Sequence, residues 1–524
     1  MTSQPEQSKL PCASHRLFSD LKHLKRRICV DMSDKITRRK FATWLAASLL
    51  ASPAAATAPL RSLRPKPRPA PQPFAALRSA LATPSLSGKR GCAVCDLAQG
   101  GLIENHRGED RFAPASVTKA ITALYALDTL GRDFRFNTTL TTTGRVTDGV
   151  LTGDLILQGD GDPTLTTDAL GKLAKDLAAT GLKTITGRFL YATGTYKEIY
   201  QIDPQQPAHV GYNPALSGLN LNKNRVFFEW KLKNGRYQTW LEARGLNHRP
   251  AVSGVKLVIE KRGAPVFKYS ARSDFEEWNV ARSALGKTGG RWLPVRRPAA
   301  HTAEVLRSLL KTQGVALPKA EAVNMPSAQT VLANCQSDPL PEIIKDMLKY
   351  STNITAEMLG LAATRARGGN IGQLEASARH MTRWAKARLG MQNSLFIDHS
   401  GLGAASRVTP NDMVGALQKA LLIWPEFPKL MKKIKPRDAR GNLDRASGAL
   451  ILAKTGTLHY VSALAGYVTE GVVRPYAFAI FCQDLEQRQK LLASARETSR
   501  NARYWNRRAK QLQQNVLRKW SQKL

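Results

Sequence analysis

Acidic residues are scarce in this chain. Over 524 residues, 40 Asp and Glu stand against 78 Lys and Arg, a formal net charge of +38. Such an excess says nothing about fold, but it predicts attraction to anionic partners. Cysteine is scarcer still, at six residues. Cys12 and Cys29 fall in the leading segment, which leaves Cys92, Cys95, Cys335 and Cys482. Cys92 and Cys95 form a C-x-x-C that lacks the second ligand pair of a zinc site, and in an alternating strand they point to opposite faces. They are expected as small buried side chains. An oxidising compartment would permit a Cys335–Cys482 bridge, which nothing else in the sequence supports. Gly159-Asp160-Gly161-Asp162-Pro163-Thr164-Leu165 lacks the alternating ligands and closing Glu of a calcium loop. It reads as a tight, Asp-capped turn.

Apolar residues are plentiful by contrast, 43% of the chain, enough for a real core and two or three domains. The amino end reads as an export signal. Arg38-Arg39 is followed by an apolar run from Phe41 to Ala51, too short to span a bilayer, and by small residues from Ala54 to Ala58. Met32 would begin a signal of ordinary length, so residues 1–31 are an over-extended start or a long basic region. Removing residues 1–58 still leaves a formal charge of about +32. An exported chain is a poor candidate for nucleic-acid binding, which only the charge would suggest. Residues 59–75, with Arg64-Pro65-Lys66-Pro67-Arg68-Pro69, form an extended linker.

The chemistry centres on Pro114-Ala115-Ser116-Val117-Thr118-Lys119, which opens an apolar segment from Ala120 to Leu130. Its pattern predicts a helix buried on most sides, begun near Pro114 and ended at Gly131. Three residues apart, Ser116 and Lys119 share a face of the first turn, placing an amine beside a hydroxyl near the positive helix end. S-x-x-K alone is weak, since Ser19 to Lys22 and Ser308 to Lys311 repeat it. What separates Ser116 is that it opens a buried helix and is followed by Ser351-Thr352-Asn353 and Lys454-Thr455-Gly456-Thr457, the only combination that keeps both the order and the context expected of penicillin-interacting serine enzymes. Lys287-Thr288-Gly289 comes too early, and Ser499-Arg500-Asn501 falls in a basic tail.

Around these motifs the chain divides. A helix candidate from Pro73 to Ala82 and a strand from Cys92 to Leu97 precede Ser116. Between Lys119 and Ser351, turn residues separate the strand-like runs Leu155–Gln158, Arg188–Tyr191, Val226–Trp230 and Val255–Ile259, which predicts inserted β-rich modules. Ser351-Thr352-Asn353 is expected on the connection between two helices, and Lys454-Thr455-Gly456 at the start of a hairpin spanning Ile451 to Val468. Asp398-His399-Ser400-Gly401-Leu402 reads as a turn, with His399 structural rather than catalytic. The expected units are 1–58 (export signal), 59–75 (linker), 76–137 with 335–495 (one discontinuous domain), 138–334 (insertion) and 496–524 (basic helix). Trp505, Leu512, Val516 and Trp520 give that last helix an apolar side, so it either lies on an anionic membrane face or packs on the main domain.

With the motifs placed, the chain resembles the D-alanyl-D-alanine carboxypeptidase/endopeptidases of the penicillin-binding protein type 4 family, from about Phe74 to Arg488. The shared features include the three motifs, the Gly159–Leu165 turn, and Ser462-Ala463-Leu464-Ala465-Gly466 after the K-T-G. The resemblance implies an α/β serine acyltransferase of the penicillin-binding protein/β-lactamase type, with domains inserted between S-x-x-K and S-x-N. It implies an acyl-enzyme on Ser116, Lys119 as base, and Ser351, Asn353 and Lys454 as further catalytic groups. Thr455, Gly456 and Thr457 would bind substrate as an added strand, and the backbone N–H groups of Ser116 and Thr457 would form the oxyanion hole. Peptidoglycan stem peptides and cross-links would be the substrates and β-lactams covalent inhibitors, in the periplasm, with no metal or other cofactor. Thr352 stands where the family commonly has Asp, and Ala404-Ala405 alter a loop after Ser400. The alternatives are a β-lactamase, against which the large insertion argues, and a silent wall-binding protein, against which the complete motif set argues.

Overall fold

The computed structural model describes Leu81 and residues 86–263, 265–323, 329–438, 440–493 and 499–524. The export signal, the linker and all but one residue of the expected Pro73–Ala82 helix lie outside the described residues.

One antiparallel six-stranded sheet organises the part of the chain that carries the motifs. Its spatial order is Lys432–Ile434, Ile451–Leu458, Val461–Val468, Tyr476–Gln483, Lys89–Asp96 and Leu102–His106. Val461–Val468 and Tyr476–Gln483 are buried at every position, so both faces of the sheet need cover. Alternation sends Ala93 and Cys95 into the core on one side, Cys92 and Val94 into the core on the other. The C-x-x-C is therefore split across the sheet. All four described cysteines are free, Cys335 and Cys482 included. Burial pushes the Cys95 and Cys482 thiols up to about 12, which makes them inert.

The front face carries the helices Thr118–Leu130, Leu340–Tyr350, Asn353–Ala366, Leu374–Trp384 and Pro410–Ile423. Every residue from Thr118 to Leu127 is buried, as the small and apolar sequence requires, and Gly131 ends the helix at φ 79°. The rear face is covered by a 24-residue helix, Arg500–Lys523. Trp505, Leu512, Val516, Leu517 and Trp520 of this tail helix share a core with Val94, Phe478 and Ile480. Trp520 Nε1 donates to Glu104 Oε2 at 2.8 Å, and Asn506 Nδ2 donates to the Leu458 carbonyl at 2.9 Å. Of the two arrangements expected for this helix, the structure has the packed one: its apolar side is occupied by the sheet, because two rows of fully buried strand need a layer there. The basic side, with Arg500, Arg503, Arg507 and Lys510 exposed, remains outward.

The insertion holds the expected strands in two groups. A five-stranded sheet runs Ala320–Ala322, Phe189–Ala192, Leu155–Gly159, Asn137–Thr142 and Thr330–Gln336. It packs with two helices beyond the expected strands, Thr167–Ala178 and Pro298–Thr312, whose Leu170, Leu173, Leu306 and Leu309 lie in its core. Two three-stranded sheets share a second core around Phe228 and Trp278. The Gly159–Leu165 stretch is a capped turn: Asp162 Oδ1 accepts from Thr164 N at 2.7 Å and from Thr164 Oγ1 at 2.6 Å. No described helix is long and apolar enough to cross a membrane.

Candidate active site

Ser116 lies in a short 3-10 turn, Ala115–Val117, ahead of the helix Thr118–Leu130. Ala115 is held at φ 46°, an uncommon conformation for a residue with a side chain. The turn is pressed from one side by Gly401, at φ 72°, where an added Cβ would run into the Ala115 carbonyl. From the other side it meets Gly456 of the strand Ile451–Leu458. A Cβ there would stand 2.7 Å from the Pro114 carbonyl and 3.0 Å from the Ser116 nitrogen. The glycine of K-T-G is thus required by a close approach of two backbones.

Lys119 is fully buried, and its Nζ has three acceptors: Ser116 Oγ at 3.0 Å, Asn353 Oδ1 at 2.7 Å and the Ser400 carbonyl at 2.7 Å. Burial pulls the amine down to about 8, against the opposing pull of the Asp398 and Glu357 carboxylates. Asn353 opens the helix Asn353–Ala366, and its Nδ2 donates to the Tyr212 carbonyl of the insertion at 2.8 Å. Ser351 sits between two helices as expected, in the left-handed conformation that ends Leu340–Tyr350. Lys454 Nζ donates to Ser351 Oγ at 2.9 Å and to the Thr455 carbonyl at 2.7 Å. Burial, then the nearby Lys119 and Lys432 cations, hold the Lys454 amine well below the usual lysine range.

Gly456 faces inward while Thr455 and Thr457 are exposed. The strand Lys432–Ile434 pairs only Ile451 to Ala453, so among the described residues no strand pairs the outer edge from Thr455 onward. That leaves room for an extended peptide along the K-T-G edge. The decoys stay apart. Ser308 and Lys311 ride the insertion helix Pro298–Thr312, Thr288 and Gly289 begin a strand of the insertion, and Ser499 caps the tail helix. Ser19 lies outside the described residues.

Two carboxylates escaped the reading of the sequence. Glu357 and Asp398 are both buried, one in an apolar helix and one in the Asp398–Leu402 turn. Burial raises both, and each raises the other or meets a further acid: Asp398 for Glu357, Asp203 for Asp398. His399, between them and Ser400, is structural. Its Nε2 lies 2.8 Å from Ser377 Oγ, its ring stacks near Tyr125, and burial lowers it to about 3.

A sequence profile of the D-Ala-D-Ala carboxypeptidase 3 (S13) family matches residues 74–500. The chain belongs to this family. It is 26% identical over 434 residues to the D-alanyl-D-alanine carboxypeptidase DacB of Haemophilus influenzae, covering 76% of this chain and 87% of that protein. It is 27% identical over 418 residues to the D-alanyl-D-alanine carboxypeptidase of Actinomadura sp. strain R39, covering 74% of this chain and 77% of that one. Among solved structures, it resembles the crystal structure of penicillin binding protein 4 (dacB) from Haemophilus influenzae. The TM-score is 0.67, with 21% identity over 85% of this chain and 99% of that one. The S13 member described here thus has the fold of that protein: a penicillin-binding acyltransferase architecture with modules inserted between its first two motifs.

Proposed function

We propose that Ser116 is the nucleophile of this serine-type D-Ala-D-Ala carboxypeptidase, with Lys119 as its base, acting on peptidoglycan stem peptides. The observation that carries the reading is the set of partners around Lys119 Nζ. Asn353 Oδ1 and the Ser400 carbonyl can only accept hydrogen bonds. A neutral amine keeps a proton on each, and its lone pair is left facing Ser116 Oγ, the one partner with a proton to give. Ser116 Oγ then bonds to the carbonyl carbon of the penultimate D-Ala, in the peptide bond to the terminal D-Ala, its proton passing to Lys119. The oxyanion rests on the N–H groups of Ser116 and Thr457, each donor worth about 3–4 kcal/mol. The C–N bond breaks as the proton taken up by Lys119 is relayed through Ser351 to the leaving amine of the terminal D-Ala, while Asn353 holds the substrate amide. Water hydrolyses the ester and returns Ser116. Lys454 steers the substrate carboxylate, and Thr455 to Thr457 pair its backbone. A β-lactam enters by the same attack and stays as the acyl-enzyme.

The test is covalent labelling by a fluorescent penicillin. Ser116→Ala abolishes it, and labelling that persisted in this variant would end the reading. Muropeptide monomers and cross-linked dimers, supplied separately, measure how far endopeptidase action accompanies carboxypeptidase action. We infer from this substrate that the mature protein works outside the cytoplasmic membrane, and Arg38-Arg39 supports export by the twin-arginine route. Arg38→Lys with Arg39→Lys then blocks export. Normal extracytoplasmic levels of that double variant would point to the general secretory route.

A further inference from the structure

The loop that gives Lys119 its third acceptor is held from below by a carboxylate that never touches Lys119. Glu357 stands four residues after Asn353, on the same face of the helix Asn353–Ala366. Its Oε2 accepts from His399 N at 3.0 Å and its Oε1 from Ser400 N at 2.9 Å. The Ser400 peptide is thereby gripped at its nitrogen, while its carbonyl receives Lys119 Nζ. Three further bonds fix the same loop. Asp398 accepts from Gly401 N and Gly403 N, both at 2.7 Å, and Thr122 Oγ1 donates to the His399 carbonyl at 2.6 Å. One helix face therefore positions the base twice, directly through Asn353 and indirectly through Glu357.

We propose that Glu357 is a positioning residue for the acylation step. By clamping the His399 and Ser400 amides, it fixes the Ser400 carbonyl so that the Lys119 lone pair faces Ser116 Oγ. The inference rests on Ser116 and Lys119 being nucleophile and base. Without the clamp the loop can turn its carbonyl away, and the amine no longer has two fixed acceptors to orient it. Glu357 also lies within the electrostatic reach of Lys119, whose ammonium form it favours. The charged and titratable groups around this pair are Asp398 and the neutral His399 of the loop, Lys454 of the neighbouring strand, and Asp203 behind Asp398.

The experiment compares Glu357→Gln and Thr122→Val with the full-length wild-type protein. It reads the rate of penicillin acylation per folded molecule against pH, with thermal unfolding alongside. Glu357→Gln keeps the volume but opposes an NH2 to one backbone N–H. Its acylation plateau is expected to fall at least tenfold, and the acid limb of its pH profile to move to lower pH, because Glu357, which burial raises into the range where Lys119 titrates, no longer gains a charge favouring the ammonium form there. Thr122→Val loosens the same loop without removing a charge, so its plateau falls and its acid limb stays. A purely structural role for Glu357 would lower the unfolding temperature and leave plateau and limb unmoved, which overturns the proposal. Should Glu357→Gln not fold, Thr122→Val decides alone: a wild-type plateau there overturns it. Retained labelling of Ser116→Ala would instead remove the underlying assignment, a different failure from either.

Discussion

Gly456 and Ser116 approach so closely that a Cβ on the first would stand 3.0 Å from the nitrogen of the second. Gly456→Ala must push the strand Ile451–Leu458 away from the Pro114–Ser116 turn, and with it the proposed Thr457 donor. The expected outcome is a fall of more than tenfold in fluorescent-penicillin labelling, with a loss of roughly 1–3 kcal/mol in stability by denaturant unfolding. Labelling at the wild-type rate would show that the Thr457 N–H contributes little.

The pH dependence follows from Lys119. Its amine is lowered to about 8 by burial, and it acts as base only when neutral. The neutral fraction rises as pH increases, so acylation should climb about tenfold per pH unit below 8 and level off above it. Lys119→Arg stays protonated throughout, and its labelling should be nearly absent at every pH tested. A flat profile for the wild-type protein, or a Lys119→Arg protein that labels well, would demand another base.

The tail helix separates stability from surface charge. Trp520 is 1% exposed and hydrogen-bonded to the buried Glu104, so Trp520→Ala should destabilise by about 3–5 kcal/mol in thermal or denaturant unfolding. Removing the helix altogether should leave an aggregating protein, since the rear of the sheet would be bare. Arg503→Glu with Arg507→Glu changes only the exposed side, and should keep the unfolding midpoint within a few degrees. Stable protein from a 1–499 truncation would show that the packed face matters less than its burial implies.

Legibility followed distance along the chain. Ser116 and Lys119 were readable as a pair because one helical turn joins them, and Asn353 and Lys454 because short motifs announce them. Glu357 and Asp398 join the same cluster by tertiary folding, 41 positions apart, with no local spacing to reveal it. The available signal was faint: a lone acid at Glu357 inside the apolar run Ile354 to Ala363, four residues after Asn353. The apolar period of Trp505, Leu512, Val516 and Trp520 was equally plain. What it packs against was not, since that depends on a sheet whose strands come from both ends of the chain. The insertion's helices lie between strand-like runs, and the period of two dominates that region of the sequence.

The pairing of Lys89–Asp96 with Tyr476–Gln483 also sets an order of assembly. Cys92 lies opposite Ile480, about 390 residues later, and the helix that seals that side is the last element of the chain. During synthesis the insertion can form its own cores early, since its strands and helices are close in sequence. The first strand of the main sheet has no neighbour on its Tyr476–Gln483 side until almost the whole polypeptide has emerged. Its apolar face stays open for most of that time, a prolonged opening for chaperones.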